Sequence, residues 1–176
     1  MSPPATTAGS AVPDEQGDAV DGQDRGIRPL RFNHVAFRVR DVARSLAFYE
    51  GVLGFREAFR VYRPDGTLGL IYVQFGADQF VELFEGGGSE RPPEPPPDGS
   101  GYLHFCLTVE DLDAALETLR QKGMDVGQAH TGTSGARIYF IQDPDGNQIE
   151  LAELNARSPT RQAAAKRRWM LEHPQG

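Results

Sequence analysis

The chain has 176 residues, 39% of them hydrophobic, which is enough for one domain or for two small modules sharing a core. A net charge of −7 argues against nucleic-acid binding over a broad basic surface, and the single cysteine, Cys106, rules out an intrachain disulfide. With no long apolar run and no basic-then-apolar leader pattern, the expectation is a soluble cytoplasmic protein that does not enter a membrane.

Residues 1–28 are rich in Pro, Ala, Gly, Asp and Thr, and read as a disordered acidic tail. A first module is expected over 29–86. Residues 32–40 alternate, with Val35, Phe37 and Val39 on one face and His34, Ala36 and Arg38 on the other, the pattern of a half-buried strand. Asp41 can cap a helix over 42–52, with an apolar stripe of Val42, Leu46, Phe48, Tyr49 and Leu53, which Gly54 ends. Three strands are expected next, at 55–63, 67–76 and 79–85, turned by Pro64-Asp65-Gly66 and Gly76-Ala77-Asp78. Residues 87–100 are dominated by Gly and Pro and read as a linker, semi-rigid in its proline run.

The order then repeats over 101–154. His104–Val109 is a strand, Asp111 caps a helix carrying Leu112, Ala115, Leu116 and Leu119, and Gly123 ends it. A short strand is predicted near 124–128, then strands at 136–142 and 147–154 joined by the turn Asp143-Pro144-Asp145-Gly146. Residues 155–176 form a basic tail or a short helix from Thr160, where Trp169 and Met170 offer a contact for a partner subunit. The fold class is therefore α+β: two tandem βαβββ modules with a repeat of about seventy residues, whose open faces must be closed to be stable.

The repeat duplicates chemistry as well as structure. HVAFRVRD and HFCLTVED each open on a histidine, and QFVELFE and NQIELAE each carry an acid inside an apolar strand. Glu82 is flanked by Val81 and Leu83, Glu150 by Ile149 and Leu151. If those neighbours pack under the helices, both acids face the opposite side, together with His34 and His104. A carboxylate turned into such a face needs a partner. Two imidazoles and two carboxylates converging across a pseudo-twofold axis form a site for one divalent metal, and such nitrogen and oxygen donors suit nickel, cobalt, zinc, iron or manganese. Cys106 shares the face of His104, where it borders the site or serves as a small buried filler.

Over residues 30–154 the chain resembles the vicinal oxygen chelate superfamily, the glyoxalase, bleomycin-resistance and extradiol dioxygenase group. The resemblance rests on HVAFRVRDVARSLAFYEGVLGF, HFCLTVEDLDAAL and DPDGNQIELAE. The His–Glu–His–Glu set is most similar to glyoxalase I. That resemblance implies His34, Glu82, His104 and Glu150 as metal ligands and Glu82 or Glu150 as the catalytic base. The reaction it implies is isomerisation of a methylglyoxal hemithioacetal, or a related small 2-oxo compound, through a metal-stabilised enediolate. It also implies Arg38 as a substrate-binding residue for an anionic group, and a homodimer in which modules are exchanged so that sites draw on both chains. Two positions depart from glyoxalase I: Gly86 stands where an Asn is frequent, and 131–135 contain no Lys, which leaves the identity of any thiol open. Other readings within the fold are an epimerase, an extradiol dioxygenase or a thiol transferase acting on fosfomycin. A ligand-sequestering protein with Tyr72, Phe80, Phe84 and Tyr139 lining its cleft is a further one.

Overall fold

The structure is a computed structural model that describes residues 31–86 and 99–173. The tail over 1–28 and most of the linker, 87–98, lie outside the described residues. Residues from Phe32 onward form one compact unit.

The first module runs β1 (His34–Val39), α1 (Val42–Gly51), β2 (Arg56–Tyr62), β3 (Leu68–Gln74) and β4 (Phe80–Glu85). The second runs β5 (His104–Val109), α2 (Leu112–Gln121), β6 (His130–Thr131), β7 (Arg137–Gln142) and β8 (Gln148–Glu153). Each module builds a four-stranded sheet, ordered β1-β4-β3-β2 and β5-β8-β7-β6. The first strand lies parallel to the last, and the remaining pairs are antiparallel. Thus the His-bearing strand always sits beside the Glu-bearing strand.

Local chemistry explains the elements. Asp41 and Asp111 are N-caps whose carboxylates accept from the backbone N–H of Arg44 and Ala114. Gly54 and Gly123 take positive φ just beyond α1 and α2, which lets the chain reverse there. On the inner face Val39, Ile71, Val73, Val81 and Leu83 are sealed under Val42, Phe48 and Tyr49 of α1. Leu112, Leu116 and Leu119 of α2 do the same over Ile141, Ile149 and Leu151. The two inner faces belong to one continuous core, with the Phe37 and Phe105 rings 5.8 Å apart.

A polar latch ties the modules together. The buried Tyr49 hydroxyl on α1 donates to Asp143 at 3.0 Å. Asp143 also accepts from the backbone N–H of Asp145 and Asn147 and from the Asn147 amide. Arg40 reinforces the latch, its backbone N–H donating to Asp145 and its guanidinium 3.7 Å from that carboxylate. Burial, then the Asp143 carboxylate, holds the Tyr49 phenol well above its ordinary pKa.

One predicted element moves. No strand forms at 124–128; the short edge strand is β6, at His130–Thr131. The Arg120 side chain takes the carbonyls of Val126 and Gly127, and the Tyr139 hydroxyl accepts from the N–H of Gly127. These backbone groups are satisfied by side chains, so no ladder is needed. The C-terminal helix, α3 (Pro159–Glu172), begins on Ser158 with Pro159 in its first turn and buries none of its residues. Among the described residues no helix is long and apolar enough to cross a membrane.

Candidate metal centre

Alternation along the strands decides what stands on the open face of each sheet. On β1 the buried residues are Phe37 and Val39, so His34, Ala36 and Arg38 face outward. On β4, Val81 and Leu83 are fully buried inward, so Phe80, Glu82 and Phe84 share the open face with His34. The second module repeats this, with His104 and Cys106 of β5 beside Glu150 of β8.

Each histidine meets its own module's acid. His34 Nε2 lies 3.4 Å from Glu82 Oε2, and His104 Nε2 lies 2.7 Å from Glu150 Oε2. Two donors bonded at about 2.1 Å to one ion, at roughly 90–110°, stand about 3.0–3.4 Å apart. The first pair already has that separation, and the second is close to it. Both pairs therefore fit as two-ligand halves of a nitrogen–oxygen metal site. Within one chain the halves are not gathered: among the described residues no cluster of three or more His, Cys, Asp or Glu is positioned to hold an ion.

Aromatic rings frame each half at matched positions. Tyr72 of β3 stands opposite Glu82 and meets the His34 ring edge-on at 5.9 Å. Phe140 of β7 stands opposite Glu150 and meets His104 edge-on at 5.1 Å. Phe59 stacks on Tyr72 at 4.4 Å and is half exposed, so the open face of the first sheet presents apolar surface. The hydrogen bond from its hydroxyl to Glu82 raises the Tyr72 phenol above its usual pKa, with burial and the carboxylate's charge adding to it.

Arg38 is exposed on the His34 face, its guanidinium 5.9 Å from the centre of the Phe84 ring. Cys106 is exposed beside Glu150, so it is not the buried filler that its size suggested. Partial burial and then the Glu150 charge push its thiol up to about 11, so with no ion bound it is protonated at neutral pH. Tyr139 does not line an open face; its ring packs on the core and its hydroxyl is bound to Gly127. Tyr72, Phe80 and Phe84 do stand on the open face. The sequence reading missed Asn33, whose side-chain oxygen is 2.9 Å from His34 Nδ1. Its only signal was adjacency to the histidine.

The fold agrees with the comparisons to known proteins. Residues 31–151 match the family model of the Glyoxalase/Bleomycin resistance protein/Dioxygenase superfamily, and the chain belongs to that superfamily. A lactoylglutathione lyase of Salmonella typhimurium is 33% identical over 129 residues, covering 70% of this chain and 93% of the relative. The crystal structure of a glyoxalase family protein from Enterococcus faecalis superposes with a TM-score of 0.59 at 24% identity, covering 70% of this chain and 98% of that one. A superfamily member from Sphaerobacter thermophilus gives 0.53 at 27% identity, covering 70% and 97%.

Proposed function

We propose that the chain is a divalent-metal-dependent lyase or isomerase of the glyoxalase I type, active as a homodimer. Its substrate is a small 2-oxo compound or the hemithioacetal of one, and its chemical step removes a proton next to a carbonyl. The observation that carries this reading is the duplicated His–Glu pair on the open sheet faces: His34 with Glu82 at 3.4 Å and His104 with Glu150 at 2.7 Å. The relatives named lactoylglutathione lyase support the choice of reaction within the superfamily.

In this reading His34, Glu82, His104 and Glu150 hold the ion. A divalent cation there would supply positive charge against the oxyanion that develops as the proton leaves. One of the two glutamates takes that proton, because a carboxylate at the site is a base of suitable strength for an acidified carbon. Arg38, exposed on the same face as His34, receives an anionic end of the substrate. The separation of the halves supports a homodimer. A two-ligand half binds an ion weakly, and the exposed Phe59 and Val61 ask for cover. A second copy satisfies both needs if each site takes one half from each chain.

The test is metal content per chain by mass spectrometry, on protein purified without chelator or metal-binding tag. The reading predicts about one divalent ion per chain, lost in His104→Ala. No ion, and none taken up when nickel, cobalt and zinc are offered, would contradict it.

A further inference from the structure

The two half-sites are related by the repeat, yet they are not equivalent. In the first, the ring opposite the acid is a tyrosine, and its hydroxyl reaches the Glu82 carboxylate. In the second, the ring at the matching position is Phe140, which has no hydroxyl to offer Glu150. The residue before His34 is Asn33, whose side-chain oxygen engages Nδ1 at 2.9 Å. The residue before His104 is Leu103, whose side chain has no acceptor. Asn33 is itself held in line, because its carbonyl accepts from the backbone N–H of Phe80 at 2.9 Å.

Both differences favour the same half. An acceptor oxygen at Nδ1 favours the tautomer that carries its proton there, which leaves the lone pair of Nε2 free for an ion beside Glu82. With one oxygen engaged by Tyr72, the Glu82 carboxylate keeps a fixed plane whether or not an ion is bound. Partners of this kind orient metal ligands and set the ligating tautomer. Among the described residues Glu150 and His104 have no hydrogen bond or ion pair besides their own contact at 2.7 Å, which must lengthen if both are to ligate one ion.

We infer that Asn33 and Tyr72 are positioning residues that make His34 and Glu82 the rigid half of the metal site, with His104 and Glu150 as the adaptable half. This rests on the metal-site reading above and assigns an order within it. The first module presents a ready pair to the ion, and the second closes on it. The asymmetry lives in two side chains, so it can be removed without touching a ligand.

The probe is Co2+, followed by binding titration and by its visible absorption, which reports ligand number and geometry. Tyr72→Phe keeps the ring and its stacking on Phe59. Asn33→Leu copies the second module. Each variant should bind Co2+ about tenfold more weakly than wild type, with an altered absorption band and an unchanged melting temperature. The double variant should be weaker still. Phe140→Tyr in the Tyr72→Phe background should restore part of the lost affinity by moving the anchor to Glu150. Variants indistinguishable from wild type in affinity and spectrum would overturn this inference alone. A wild-type protein that takes up no Co2+ would overturn the metal-site reading and this inference with it.

Discussion

Glu82 and Glu150 are the residues on which the functional reading turns. Each is an acid in an apolar strand, flanked by fully or nearly fully buried side chains, and each meets a histidine instead of open water. Glu82→Gln and Glu150→Gln keep shape and remove the charge. Each should weaken metal binding, and the variant that loses the base should drop kcat by about 10²–10⁴-fold while the melting temperature holds. Unchanged affinity and turnover in both would remove these acids from the site. Arg38 offers a separate check. It is exposed and has no ion pair among the described residues that a substitution would break, so Arg38→Ala should raise KM for an anionic substrate about tenfold with little change in kcat. An unchanged KM would return Arg38 to the plain surface.

At the scale of elements, the latch between α1 and the turn before β8 holds the second module's acid-bearing strand against the first module. Tyr49→Phe removes the donor and leaves Asp143 with its remaining partners, so it should cost about 1–2 kcal/mol in urea unfolding. The pH dependence has a definite sign. Folding raises the Tyr49 pKa, so its contribution is complete below the unfolded value near ~10 and is lost as pH rises beyond it. Stability should therefore fall more steeply above about pH 10 in wild type than in Tyr49→Phe. Equal slopes would show that the phenol is not buried as described. Tyr72 and Tyr102 are shifted in the same direction and will leave a residual slope in the variant.

Most of this architecture was legible in the sequence because two periods, 2 and 3.6, alternate cleanly along it. The caps Asp41 and Asp111 and the stop glycines Gly54 and Gly123 also match their expected roles. The strand expected at 124–128 failed for a reason that periodicity cannot carry: Arg120 and Tyr139 satisfy that backbone from elsewhere in the chain. Alternation likewise put His34, Glu82, His104 and Glu150 on open faces. It could not reveal that Tyr72 faces Glu82 while Phe140 faces Glu150, because that depends on strand register across the sheet. Cys106 shows a further limit, since small size suggested burial and its position on the open face left it exposed.

Among the described residues the molecule presents two open sheet faces and one unburied helix. The inner faces of both sheets are spent on a shared core, so nothing further in the described chain covers the outer ones. Phe59, Val61 and Tyr62 remain exposed near the first half-site, and Trp169, Met170 and Leu171 remain exposed on α3. A second copy would cover the open faces and bring a rigid half from one chain against an adaptable half from the other. Sedimentation should accordingly give a dimer.

The most direct test is to mix two inactive variants, His34→Ala and His104→Ala, each lacking metal on its own, under conditions that allow subunits to exchange. If sites are shared between chains, one site in each mixed dimer carries all four ligands. An equal mixture should then recover about a quarter of wild-type metal content, and turnover in proportion. Recovery of neither metal nor activity, with exchange verified, would contradict the shared site.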